Sequence, residues 1–301
     1  MKKKLQTLVL GLAVFSALVL SSCVSNAKPW KQGIDEKKGK SDKKDSMIIF
    51  TGSDWDERSK LAFEKLFTSE FFEKFSKDFD LYNVDIVRDK SLMSAKLLKT
   101  NYIYFSEYGV ENLPYIVLQT PMSDAYASTD FGVECSDIKQ FSQLVEKLLK
   151  KRDAVVKARE KIVTSKGHEK TKAIDDFLSI VENADSNRYD KLRAEALTSD
   201  PDNKTGLKSK YLMISADMKA AKLVDSKKFR DASNEFIKIA EMSELNGNDK
   251  QLAYYYAAYI LAMQEGITSV EIKNLLQKAL DSAPDSEFSI EVNNVMNNLK
   301  K

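Results

Sequence analysis

Met47-Ile48-Ile49-Phe50-Thr51-Gly52-Ser53-Asp54-Trp55-Asp56-Glu57-Arg58-Ser59-Lys60 decides how the first half of this chain folds. Met47 to Phe50 is a short unbroken apolar run, the pattern of a strand covered on both faces. Thr51 to Asp54 is turn chemistry. Beyond Trp55 come Leu61, Phe63, Leu66 and Phe67, then Phe71, Phe72 and Phe75, spaced to make one buried helical face with a break near Ser69. A strand that turns directly into an amphipathic helix is the opening unit of an α/β layer.

The pattern continues outward from this unit. Leu81 to Val87 reads as a second strand, Ser91 to Glu107 as a helix and Pro114 to Gln119 as a third strand. Ala125 to Phe131 reads as a fourth. A long helix then starts at Ser136 and buries Ile138, Phe141, Leu144, Val145 and Leu148. The expected order is β-α-β-α-β-β-α.

Two landmarks in this order carry a resemblance. One is Phe50-Thr51-Gly52-Ser53-Asp54-Trp55; the other is Tyr108-Gly109-Val110-Glu111-Asn112-Leu113-Pro114. With them, residues 47 to about 150 resemble a thioredoxin-fold domain of the lipoprotein and periplasmic branch. The resemblance implies that Pro114 is cis and faces the active site, that Leu113 pairs through its backbone with an extended peptide, and that two cysteines follow Trp55. Here those two positions are Asp56 and Ser59. Thiol-disulfide exchange needs a thiolate to attack and a second thiol to resolve the mixed disulfide. A carboxylate and an unactivated hydroxyl replace neither, so no catalytic residue is expected at this site. Trp55, Asp56, Ser59 and Pro114 stand as degenerate active-site positions. Asp56 and Ser59 can cap the helix N-terminus. Two readings remain open: a peptide groove kept at Leu113 and Pro114, or a vestigial site in which Asp56 is only a cap.

Beyond about residue 150 strand signals stop and amphipathic helices follow, at Lys170–Glu182, Arg188–Thr198, Lys208–Val224, Lys227–Ser243, Asp249–Gln264, Ser269–Ser282 and Glu287–Leu299. Asp200-Pro201-Asp202-Asn203, Asn246-Gly247-Asn248-Asp249 and Ala283-Pro284-Asp285-Ser286 punctuate them. With Phe229 to Phe236, Ala253 to Tyr259 and Lys278 to Pro284, this half resembles tetratricopeptide repeats. Pro201 and Pro284 lie 83 residues apart, not a multiple of the ~34-residue period, so the array is degenerate. Tyr254, Tyr255, Tyr256 and Tyr259 cannot all share a face at about 100° per residue. Core packing with outward hydroxyls is set against a role in holding a peptide.

The N-terminus speaks to location. Lys2, Lys3 and Lys4 precede an apolar run from Leu8 to Leu20, about the length of a signal-peptide core rather than a membrane span. Leu20-Ser21-Ser22-Cys23 resembles the lipobox of bacterial lipoproteins, which implies cleavage before Cys23 and acyl chains of the palmitate type on its sulfur. Residues 24–46, rich in Lys, Asp, Gly and Ser with only Trp30 and Ile34 as large apolar residues, read as a flexible tether. The expected division is therefore signal peptide 1–22, tether 23–46, sheet domain 47–150 and helical domain 151–301.

Composition narrows the functions. The precursor carries +2, and loss of the three leader lysines leaves −1, which offers no bulk attraction to nucleic acid. One histidine, His168, lies in a polar turn, and no Cys or acid pair stands near it at ligand spacing, so no metal or other cofactor is expected. Cys135 would be the only thiol left unmodified. It reads as a packing residue, against a second reading in which a helix N-terminus lowers its pKa. The fold class expected is an α/β thioredoxin-like domain followed by an all-α tetratricopeptide-like helical array. The function expected is an envelope lipoprotein, held to a membrane through Cys23, that binds proteins or extended peptides. The rivals are a divergent oxidoreductase or isomerase using Cys135, and a structural lipoprotein without a dedicated ligand.

Overall fold

A computed structural model describes residues 30–31 and 44–299. The leader, Cys23 and most of the tether lie outside the described residues. The first half is a four-stranded mixed sheet in the order β2-β1-β3-β4. Strand β1 (Asp45–Thr51) is central and pairs in parallel with β2 (Phe79–Asp85). On its other side β1 runs antiparallel to β3 (Tyr115–Gln119), which pairs antiparallel with β4 (Ala125–Asp130).

Alternation along the strands divides two cores. Met47, Ile49, Leu81, Ile116 and Leu118 face one of them, and Ile48, Phe50, Val84 and Val117 face the other, as a period of two dictates. The first core is covered by α1 (Glu57–Lys65), α2 (Ser69–Phe75) and α4 (Ile138–Leu149). Its centre is a cluster of phenylalanine rings: Phe71 lies 5.0 Å from Phe75 and 5.5 Å from Phe141, with Phe67 and Phe131 at its margins. Each such ring contributes roughly 1.5–3 kcal/mol by burial. The second core is covered by α3 (Ala95–Glu107), capped by Ser94, and by the buried Tyr108. Trp30, in the segment read as tether, sits on the first core with its ring 5.0–5.8 Å from Phe67, Phe71 and Phe72. Beside it the Lys31 amide donates to the Leu81 carbonyl at 2.8 Å.

The helical half follows as α5 (Arg152–Thr164), α6 (Gly167–Leu178), α7 (Asp190–Ser199), α8 (Lys208–Asp225), α9 (Phe229–Ala240), α10 (Gly247–Leu261), α11 (Ser269–Ser282) and α12 (Phe288–Asn298). Helix α5 was not among the expected helices. His168 lies in the first turn of α6, exposed, and not in a loop. From α8 onward each helix packs on the next. The closest approach is at Gly247, where a Cβ would lie 2.5 Å from the Ser282 carbonyl oxygen, so only glycine fits there.

The first core does not stop at the end of α4. It runs through Val155, Ile162, Phe177 and Tyr189 to Tyr211, and a second helical core begins at Ala216. Polar contacts fasten α5 to α7 onto the sheet. The Arg159 guanidinium pairs with the buried Asp124 carboxylate in two hydrogen bonds and stacks 4.2 Å from the Phe177 ring centre. Arg152 pairs with Asp45 at 2.6 and 2.9 Å. The Glu182 amide donates to the Ala125 carbonyl, and the Asn183 amide group donates to the Tyr108 carbonyl. These contacts cover the outer strand β4, which would otherwise offer an open edge.

Candidate functional site

The turn from β1 into α1 is closed by hydrogen bonds at every step. Gly52 is required there because a Cβ would lie 2.7 Å from the Trp55 ring. The Trp55 indole donates to the Ile86 carbonyl at 2.6 Å, and the Arg88 guanidinium lies over the ring at 4.2 Å. Asp54 accepts from the Asp89 amide at 2.7 Å and from the Arg88 amide. The Asp89 bond in particular holds its carboxyl below the ordinary range. Asp85 accepts from the Thr51 hydroxyl at 2.9 Å and from the Ser53 amide at 2.8 Å.

Asp56 is the N-cap of α1 and accepts from both the Ser59 amide and the Ser59 hydroxyl at 2.7 Å. That hydroxyl in turn accepts from the Gly52 amide at 3.0 Å, and Ser59 has no exposed surface. The proton and one lone pair of the hydroxyl are therefore both engaged in holding the turn. Its neighbouring carboxylate is itself committed to capping the helix, and the hydroxyl has no exposed surface through which to meet a substrate, so the pair as placed serves the turn.

The Leu113–Pro114 peptide bond is cis. The Pro114 carbonyl accepts from the Phe131 amide at 3.0 Å, and the neighbouring Asp130 carboxylate lies 3.9 Å from Arg58 in the first turn of α1. This chain of contacts links the start of β3 to the start of α1. Leu113 buries its side chain among Phe50, Trp55 and Tyr115. A shallow polar hollow of about 320 Å³ lies alongside, lined by Glu111, Asn112, Tyr115 and Asp130.

Cys135 lies in a 3-10 turn (Val133–Ser136) packed on α1, with no exposed surface, and its thiol faces the Phe131 carbonyl at 3.8 Å. Helix α4 starts later, and its first turn is capped by Asp137. The helix-terminus reading is therefore corrected: burial dominates and pushes the thiol up to about 11, against a smaller lowering by Arg58. Burial and the raised pKa both work against a thiolate at neutral pH, the form that would act as nucleophile. Among the described residues no group of three His, Cys, Asp or Glu side chains could hold a metal, and no helix is long and apolar enough to cross a membrane.

A larger feature lies in the helical half. Helices α8 and α10, with the end of α6, the start of α7 and Phe236 of α9, enclose an open groove of about 980 Å³. Its floor is apolar: Met213, Ile214, Met218, Phe236, Leu252, Tyr256, Tyr259 and Ile260. The tyrosine cluster divides as helical geometry requires. Tyr254 is buried and Tyr255 packs 4.9 Å from Phe288, while Tyr256 and Tyr259 are 38% and 60% exposed and line the groove. Residues outside the tyrosines were not foreseen. The only earlier signal was the shared face of Tyr256 and Tyr259, three positions apart.

The α8 to α12 array is a recognised unit: a family described as "Uncharacterised protein C-terminal domain" matches residues 207–301. A protein of Treponema pallidum (strain Nichols), described as "Uncharacterized protein", is 32% identical over 219 residues, 73% of this chain and 73% of the relative. The chain belongs to the family of that treponemal protein. A solved structure, "DsbH Oxidoreductase", is 20% identical with a TM-score of 0.36, covering 40% of this chain and 83% of that one. That likeness is too slight to bring any activity across.

Proposed function

We propose that this protein is a bacterial envelope lipoprotein, cut before Cys23 and acylated there, whose redox-inactive thioredoxin-like domain carries a tetratricopeptide-like array that binds segments of other proteins. The observation that carries the binding role is the groove between α8 and α10. An apolar concavity of about 980 Å³ with Tyr256 and Tyr259 left exposed has the size and lining of a ligand site, and tyrosine is among the residues that dominate interface energetics. The sheet domain supports a role without chemistry, since Asp56 and Ser59 stand at the thiol positions and the Cys135 thiol is buried and protonated. The order of strands and the cis-Pro114 turn are compatible with the thioredoxin-like reading.

Both parts are testable in one strain. Cells fed a clickable palmitate analogue should label the wild-type chain and not Cys23→Ala; equal labelling would remove the anchor. A photo-crosslinking residue at position 259 should give a discrete adduct that Ile214→Asp abolishes. The same residue at position 290, an exposed apolar site of α12 outside the groove, should give none. Absent adducts, or equal adducts from both positions, would favour a structural lipoprotein.

A further inference from the structure

The charges around the groove say what kind of segment it takes. Three cations line it, and two carboxylates engage them: Asp190 holds Arg193 at 2.7 Å and reaches Lys222 at 3.9 Å, and Asp175 holds Lys210 at 2.6 Å. Arg193 is further tied to the Ala184 and Ser186 carbonyls and is nearly buried. Three acids line the same groove, Asp185, Asp217 and Asp225, all exposed. Among the described residues none of their side chains has an ion pair or hydrogen bond. Asp217 and Asp225 stand eight residues apart on α8, about two turns along one face, with the small Ala221 and the exposed Lys222, which reaches toward Asp190, between them. The rim is thus a set of uncommitted negative charges beside a floor of Met213, Ile214, Met218 and Tyr259.

We infer that the groove selects a basic amphipathic segment of a partner protein: apolar side chains enter the floor, and lysine or arginine side chains meet Asp185, Asp217 and Asp225. The inference rests on the binding role proposed above and adds its selectivity. The same acids disfavour anionic lipid head groups and nucleic acid, whose phosphates they would repel. The two methionines suit a segment whose apolar residues vary, because an unbranched thioether side chain repacks at little cost.

The experiment uses the chain from residue 24, without leader or Cys23, and three synthetic amphipathic peptides of equal length. They share one leucine stripe and carry lysine, glutamine or glutamate at the remaining positions. Fluorescence anisotropy should rank them lysine, glutamine, glutamate, with the first roughly tenfold tighter than the second, the scale of about three exposed ion pairs. The ranking should collapse in the Asp185→Asn, Asp217→Asn, Asp225→Asn variant, whose exposed substitutions leave the core untouched, and at high salt, where the Debye length is only about 3 Å. If all three peptides bind alike and Ile214→Asp removes them alike, the charge selection is wrong while the binding role stands. If none binds, or Ile214→Asp changes nothing, the groove is not the site and both fall.

Discussion

At Ser59 a single hydroxyl donates to Asp56 and accepts from Gly52, so one side chain ties the end of β1 to the start of α1. Position 59 is filled by the smallest polar group that can satisfy both partners in a space with no solvent. Cys135 makes the complementary point. Its sulfur is present but buried, and burial raises the thiol from 9.0 to about 11. The chain from residue 24, whose one thiol is Cys135, should therefore resist an aromatic disulfide reagent at pH 7–8 and react with one equivalent only after denaturation; rapid native reaction would show an accessible thiolate. The sign of the pH effect follows. The folded state holds this proton more tightly than the unfolded chain, so the contribution is complete below pH 9 and is lost as pH rises toward 11. Denaturant unfolding of wild type and Cys135→Ala should show a stability difference that shifts against wild type across that window. Tyr126, Tyr189 and Tyr211, also raised by burial, act in the same direction from about pH 10 upward and cancel in the comparison.

Among elements, α5 is the one on which the two halves depend, and it was the one missed. Its sequence places Val155 and Ile162 in the core but leaves Val163 71% exposed, so its apolar residues do not trace one clean stripe. Its position is set by Arg159, and a charged residue gives no hydrophobic signal. Replacing Arg159 with Ala would strand the buried Asp124 carboxylate and cost about 3–5 kcal/mol, read as a lowered urea midpoint; Asp124→Asn with Arg159→Met should recover part of it. Where apolar period and caps agree, the elements were legible: Ser269–Ser282 forms α11 at its expected bounds, capped by Thr268, and Met47–Phe50 falls inside β1. The turn at Gly52 to Ser59 was legible for the same reason, since its residues are contiguous. The groove was not, because Asp185, Met218 and Tyr259 come from separate elements that only packing brings together.

For the whole molecule, the informative contact is the smallest. Trp30 rests on three phenylalanine rings, and Lys31 pairs with Asp80 at 2.6 Å and bridges in parallel to Tyr82 of the edge strand β2. Trp30→Ala should cost roughly 2–3 kcal/mol, below the figure for a wholly buried tryptophan, and should speed tryptic cleavage among Lys37, Lys38, Lys40, Lys43 and Lys44. Unchanged cleavage would mean that this contact does not persist in solution. With the acyl group proposed at Cys23, the consequence is a matter of leash length. Six residues separate that cysteine from Trp30, at most about 25 Å of extended chain, whereas a leash free as far as Asp45 would allow roughly 75 Å. The sheet domain would ride close to the bilayer instead of ranging over the wider span that a free tether permits.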